Sequence, residues 1–469
     1  MRPPSHRPFS RRSLLKSSSA LALGATLPLS TRLAIQAAAQ QATPTRNIAG
    51  TELKILQWSH FVPSYDTWFD EFAKAWGDAN QVKITVDHIN TAQIPATLAG
   101  EIAAGEGHDL VEHISSLAQY EKSVVDMTDL VNEATARFGT QLDMAKRNSF
   151  NPTTNHFYGF VHGYAPDPAD YRKSLWQAVE LPDGPRTYQE LLDGGTKIYQ
   201  DQGVQMGIGM SNEIDSRMAA QTIIWAHGGA IQDESEKVTI NSPEVVAAVT
   251  YMSNLFKSAM TDEVFSWDAA SNNQLLIAGQ ASYILNSISA YRTAQESQPD
   301  VAADIYFGTP LEGPAGPDRA LAHGHAVFNY QVPTYSKNQD TAKEFILYLL
   351  ANYDQASDQS KFYNFPAFAN LSPKLFESGG WLDNDPYGSQ PPDKLATLKT
   401  ANDWTVNLGW PGPANAAIGE IFALPLIPDM MARAARGEQK PEESVAQAEQ
   451  EINTIFEKWR GEGLIGGGQ

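Results

Sequence analysis

A chain of 469 residues with 42% hydrophobic and 19% charged residues is globular in composition and long enough to bury more than one core. Its 34 basic residues face 54 acidic ones, a net charge of −20 that argues against nucleic acid and anionic lipid as partners, while leaving a local pocket free to take a small anion. With no cysteine there is no disulfide, no thiolate nucleophile and no acylated anchor.

The basic residues gather at the start, since no acidic residue precedes Glu52. Ser10-Arg-Arg-Ser-Leu-Leu-Lys16 is followed by an apolar run from Ala20 to Leu29 and by Ala37-Ala-Ala39, the order of a secretory signal, with an apolar run too short to span a bilayer. The paired arginines resemble the twin-arginine signal, with Leu14 where Phe is commoner, and imply export of an already folded chain. Residues 1–39 are therefore read as a signal peptide and 40–50 as a linker. Six basic residues and no acidic one lie in 1–39, so their removal takes the net charge from −20 to −26. No later stretch is apolar enough to cross a membrane, which predicts a soluble, exported chain without a lipid anchor.

Leu53–Trp58 and the alternation Val82, Ile84, Val86 predict two strands. Between them Trp68, Phe72 and Trp76 recur one helical turn apart, with Phe69 and Ala73 widening the stripe. Pro95 stands in the first turn of a second helix that carries Ile94, Leu98 and Ile102 and stops at Gly105; Asp109–Ile114 is the next strand. Strands alternating with helices at this spacing demand right-handed crossovers and a mostly parallel sheet, in which ligands bind beyond the carboxyl ends of the strands. That places Trp58, Ser59 and His60, then His113, Ser115 and Ser116, among candidate site residues.

The stretch from Tyr158 to Trp176, with two prolines and several aromatics, is too irregular for a helix interior and suits a crossing between lobes. Beyond it Thr187-Tyr-Gln-Glu190 is a capping box opening a helix, and Gln205–Ser211 a strand with Asn212, Glu213 and Asp215 at its end. A helix carrying Trp225 stops at Gly228-Gly229, and Ser242-Pro243 opens another. Ala281–Leu285 is a strand ending at Asn286, Ile305–Gly308 begins the return crossing, and Ala326–Val332 is a further strand. Asp340 opens a helix with Phe345, Ile346 and Leu349 on one face. Residues 356–415 are loop-rich and aromatic, and a last helix runs from Pro441 to Trp459. No internal repeat is present.

This order of features resembles the family 1 extracellular solute-binding proteins of ABC importers, the group containing the maltose-binding protein. The resemblance is carried by the first strand with its aromatic end, Ala104-Gly-Glu-Gly-His-Asp-Leu-Val111, Phe157-Tyr-Gly159 with Tyr171–Trp176, and Gly184–Leu192. It continues through Gly228-Gly229 with Asn241-Ser-Pro-Glu244, Ala278–Ala281 leading into Asn286, Asn338–Phe345, and Gly437 with Pro441-Glu-Glu443. It implies an α/β fold of the two-lobe periplasmic-binding-protein type II, with hinge crossings and a central ligand cleft. On that reading residues 51–163 and 306–355 form the N-terminal lobe, and 164–305 and 356–469 the C-terminal lobe. It also implies a monomer that closes on a small solute and docks on an ABC importer permease, with no catalysis and no cofactor.

Departures from the maltose-binding pattern fall at the expected site. Ser59-His60-Phe61 replaces an acid and a lysine after the first strand, His113 replaces a tryptophan, and Ser289 replaces an aromatic, with Tyr291 two residues on. Glu213 matches a carboxylate that contacts sugar hydroxyls in the family. A sugar or polyol presents C–H faces to rings and hydroxyls to carboxylates and amides. Trp58, Tyr164, Tyr291 and Trp410 are the candidate rings; Asn212, Glu213, Asp215, Asn286 and Asn415 the candidate rim partners; His60 and His113 candidate donors. A core or lid role competes for each ring, and a helix cap or solvated position for each polar residue. His323-Gly-His325 has spacing for a metal pair but no carboxylate cluster beside it, so no metal is expected. A secreted glycoside hydrolase is the alternative function and a polyamine the alternative ligand, the latter suggested by Glu213 and Asp215.

Overall fold

The computed structural model describes residues 27–41 and 43–466. The twin-arginine motif and most of the apolar run therefore lie outside the described residues. Helix α1 (Leu29–Gln41) is laid against α2 (Ser64–Asn80), with Ile35 buried and Arg32 paired to Glu71 at 3.0 Å. The stretch read as a linker is docked: Glu344 Oε1 accepts from the N–H groups of Thr45 and Arg46 (3.1 and 3.0 Å), the Thr45 hydroxyl (2.6 Å) and the Arg46 guanidinium (2.8 Å).

Strands β1 (Glu52–Trp58) and β2 (Lys83–Ile89) flank α2, and α3 (Ile94–Ala104) leads to β3 (Leu110–His113). The predicted stripe of α2 is the buried one, with Trp68, Phe72 and Trp76 all essentially without exposure. Gly105 ends α3 at φ 71°, a left-handed conformation that costs glycine nothing. β1 pairs parallel with both β2 and β3, as the crossovers require.

Strand β4 (Phe160–Pro166) continues this large sheet, whereas β5 (Ala169–Arg172) belongs to a second one. Only residues 167 and 168 separate them, and the flanking prolines, which lack a ladder donor and fix φ, end one strand and admit the turn to the next. The second sheet is completed by β6 (Gln205–Gly207), β7 (Ala281–Leu285) and β8 (Ile305–Gly308), in the order β8-β5-β7-β6. The chain returns over residues 309–321 to β9 (Ala322–Gln331), which lies antiparallel between β3 and β4. Two departures from the expected strands have identifiable causes. β6 stops at Gly207 because the Met210 N–H turns to the Val264 carbonyl. β9 starts at Ala322 because β11 (Thr405–Val406), remote in sequence, pairs with Ala322 and His323.

β10 (Phe365–Pro366) pairs with β4, so the large sheet runs β10-β4-β9-β3-β1-β2 with β11 on β9, seven strands in all. Within residues 356–469, which the sequence reading groups with the C-terminal lobe, Phe365, Pro366, Thr405 and Val406 pair with strands of the large sheet. A third crossing after Val406 leads to α11 (Ala416–Ala423) and the terminal α13 (Pro441–Gly461), which pack on the second sheet's core. Earlier in the chain come α5 (Ile214–Ala226) and α8 (Ser289–Ser297) on the small sheet's flank, and α12 (Leu426–Ala435) lies between α11 and α13.

Candidate ligand cleft

Two buried groups of candidate residues, one beyond the large sheet's β1 and one beside the small sheet's β7, are the candidate walls. β1 delivers Trp58 at its carboxyl end, where its ring lies 4.7 Å from His60, 5.3 Å from Phe61 and 5.9 Å from Phe328 on β9, the last nearly parallel at 13°. Tyr363 closes the group at 5.0 Å from His60 and 6.4 Å from Phe328. Offset and edge contacts at these spacings are favourable ring arrangements. His60 is fully engaged. Nδ1 accepts the Val62 N–H (2.9 Å), which assigns the proton to Nε2, and Nε2–H donates to Asn364 Oδ1 (2.9 Å). Burial lowers its pKa to about 4, so it stands in the wall as a neutral ring.

The opposite wall is polar. Glu213 caps α5, its carboxylate accepting the N–H groups of Asp215 and Ser216, both at 2.6 Å, and the Ser216 hydroxyl. Asp215, in the first turn, is 4% exposed, and burial together with the neighbouring Glu213 charge pushes its carboxyl well above the usual range. Asn286, just past β7, directs its amide to Asp215 Oδ2 (3.2 Å), Asn272 Oδ1 (3.1 Å) and Asn273 Oδ1 (2.5 Å). Asn273 in turn donates to the Ser289 hydroxyl at 3.2 Å. Trp267 and Ile214 pack against both apolar cores.

Tyr363 links the two groups: its hydroxyl is held far up its range by burial and by the charges of Asp215 and Asp167, with Ser287 beside it. Asp167 sits in the two-residue crossing, and Asp170 follows on β5. Asp170 is entirely buried, and among the described residues neither of its carboxyl oxygens has a hydrogen-bond partner; burial and Asp167 raise it well above an ordinary aspartate.

Of the candidate residues, the structure brings Trp58 and His60 together past β1, and Glu213, Asp215, Asn286 and Ser289 together around the start of α5 and the end of β7. The rest are elsewhere or otherwise occupied. His113 Nδ1 accepts the N–H and hydroxyl of Ser115 (3.1 and 2.8 Å), and burial lowers it to about 4. Tyr164 and Trp410 share a 190 Å³ cavity with Asn402, Thr405 and Asn407, and its lining includes no residue of either wall. Tyr164 donates to Asn402 (2.5 Å), while the Trp410 carbonyl accepts from Trp225 Nε1 (3.0 Å) and its ring carries Arg319 at 4.6 Å. Tyr291 is turned into the flank, donating to Ser389 at 2.7 Å against the Phe307 ring. Asn415 caps α11 and donates to Gln232 and Glu236; Asn212 is exposed and accepts from Arg217.

Phe61, already named beside His60, is joined by Phe328, Tyr363, Asn364, Trp267 and Asp167, none of which is a candidate site residue in the sequence reading. Apart from Phe61, their sequence signals are Pro166-Asp-Pro168 and the aromatic loop around Tyr363. His323 packs on Trp225 (4.5 Å) and Phe422 (6.3 Å), and the side chain of His325 lies outside the described residues. Among the described residues no group of three or more His, Asp or Glu is placed to hold a metal ion, and no helix is long and apolar enough to cross a membrane.

A family model described as bacterial extracellular solute-binding protein matches residues 67–386. A Deinococcus radiodurans protein described as an ABC transporter-binding protein is 24% identical over 192 residues, covering 39% of this chain and 45% of the relative, so the match spans under half that relative's length. Among solved structures, an ABC transporter solute-binding protein of Thermotoga lettingae bound with α-D-tagatose aligns with a TM-score of 0.69 at 17% identity, over 87% of this chain and 100% of that one. The maltose-bound T. maritima protein gives 0.71 at 16%, over 86% and 100%. A ribitol complex from Agrobacterium radiobacter gives 0.68 at 17%, over 88% and 100%. At these identities the likeness is one of fold, and it agrees with the expected two-lobe, type II periplasmic-binding-protein architecture.

Proposed function

This chain belongs to the bacterial extracellular solute-binding proteins, and from that premise we propose that it captures a small neutral solute, a sugar or polyol, between its two sheets and hands it to the permease of an ABC importer. The observation that carries the reading is Tyr363, whose ring lies 5.0 Å from His60 in the group of Trp58, His60 and Phe61 and whose hydroxyl feels the charge of Asp215, itself hydrogen-bonded by Asn286. Rings suit the C–H faces of a sugar, and the carboxylate and amides suit its hydroxyls. Structural neighbours holding tagatose, maltose and ribitol support the same class.

The solute binds one wall first and its added contacts to the other favour the closed form, to the extent of its differential affinity. The protein works as a monomer outside the cytoplasmic membrane, exported by the twin-arginine route, unanchored and without catalytic turnover. A polyamine is the second reading, favoured by the burial of Asp167, Asp170, Glu213 and Asp215 about the crossing. Thermal-shift screening against sugars, polyols and polyamines, followed by calorimetry, tests both: a ligand selective for the folded state raises the melting temperature. A neutral hit supports the first reading, an amine-only hit the second, and silence across all three classes removes both.

A further inference from the structure

The loop that places His60 is held from outside the cleft. Asp66, in the first turn of α2, accepts the His60 backbone N–H on both oxygens, at 3.2 and 3.1 Å. On β2, His88 brings Nδ1 to 3.6 Å from Asp66 Oδ1 and Nε2 to 2.8 Å from Asp70 Oδ1. His88 Nδ1 is buried and has no hydrogen-bond partner among the described residues, so the Asp66 carboxylate is its charged neighbour on that edge. Asp70 is half exposed, at 53%, so a short series of contacts leads from the surface through His88 and Asp66 to His60, and by ring contact to Trp58.

We propose that Asp66 is a positioning residue for the Trp58–His60 ring wall, and that its contact with His88 lets the proton concentration of the surrounding medium set how firmly that wall is held.

Ionised, Asp66 receives the His60 N–H as a charge-assisted bond and attracts a protonated His88; protonated, it is a weaker acceptor and the attraction is gone. His60 is not itself the sensor, since both ring nitrogens have partners and it stays neutral down to about pH 4. The groups facing the pair are Asp70 on α2, Glu112 on β3 and His60 on the loop. Burial lifts Asp66 to about 6, against the opposing pull of His88, while the hydrogen bond to Asp70 and the charges of Asp66, Asp70 and Glu112 raise His88 above its ordinary value in spite of desolvation. The two shifts overlap, so there is a window in which both are charged. Below it Asp66 takes a proton, above it His88 loses one, and the hold weakens on either side.

The inference rests on reading Trp58 and His60 as a cleft wall, but its test uses no solute, so the two can fail separately. In ¹⁵N-labelled protein titrated from about pH 4.5 to about pH 8.5, the His60 amide and the Trp58 indole resonances are expected to move together, with an acid midpoint near 6. His88→Gln removes the cation that favours ionised Asp66, so it shifts that midpoint upward. Asp66→Asn keeps an acceptor for the His60 N–H and abolishes the acid step in both signals. A Trp58 indole signal that is flat over the range, or an acid step unmoved by His88→Gln, overturns the proposal. The His88 variant keeps the test decisive should Asp66→Asn fold poorly.

Discussion

Arg292 and Asp385 meet at 2.6 Å with side chains 2% and 0% exposed, and they join parts of the fold that pair with different sheets. Arg292 rides α8 on the flank of the small sheet, whereas Asp385 lies between β10 and β11, both strands of the large one. Around the pair, Arg292 Nε donates to the Lys361 carbonyl (3.0 Å) and Lys394 donates to the carbonyls of Ala302 and Ala303 (3.1 and 2.9 Å). Removing one partner of a buried pair leaves an uncompensated charge, so Arg292→Ala is expected to cost about 3–5 kcal/mol. Replacing both with apolar residues, Arg292→Met with Asp385→Leu, is expected to recover most of that loss. Urea unfolding of the three proteins checks it, and equal stability of the single and double variants would count against a paired role.

Tyr363 offers a gentler probe of the cleft than truncating its rings. Tyr363→Phe keeps the ring against His60 and Phe328 but deletes the hydroxyl that faces Asp215, Asp167 and Ser287. Affinity for the solute identified by screening is expected to fall about tenfold, the worth of roughly one hydrogen bond, with stability changed by about 1 kcal/mol or less. Calorimetry and thermal melting separate the two quantities. Unchanged affinity would place the solute away from this hydroxyl.

The buried histidines set an acid limit. His60 and His113 both have folded pKa values lowered to about 4, so the neutral ring favours the folded state. Their stabilisation is complete above the unfolded value of about 6.5 and is lost as pH falls toward 4, up to about 3 kcal/mol each. Asp66 and Asp215 act in the opposite sense, because carboxyls raised in the folded state contribute stability at low pH that is lost as pH rises. The clean observable is therefore the slope of melting temperature between about pH 6.5 and about pH 4.5, which His113→Asn is expected to flatten relative to the parent.

Glu213 holds two backbone donors at the start of α5 beside the Asp215 carboxyl. Glu213→Ala is expected to cost about 1–2 kcal/mol through the lost cap, measured by chemical unfolding. It is also expected to lower the Asp215 pKa, because the neighbouring negative charge is gone. Carboxyl carbon NMR of Asp215 reads the second effect, and no downward move would mean that burial alone sets its titration.

Much of the framework was legible because it is encoded locally. The spacing of Trp68, Phe72 and Trp76, the stop at Gly105, the Thr187–Glu190 capping box and the prolines about Asp167 each act within a few residues, so helices, strands and the first crossing could be read in order. Glu213 was legible as a polar residue at a strand end, but its work as a cap depends only on α5, and Tyr164 and Trp410 share a cavity remote in lining from the walls.

What the tertiary structure alone decided is which of many plausible side chains come together. Tyr363 and Asn364 reach the cleft from a loop without periodicity, and Phe328 arrives on a strand that returns from the other sheet. Their places follow from pairing between β9, β4 and β10, partners far apart in the chain, for which no short-range pattern exists. Burial followed the same rule: the neutral state of His60 and the raised state of Asp215 come from losing water and gaining particular neighbours, and a residue's neighbours in space are settled only when the sheets are assembled.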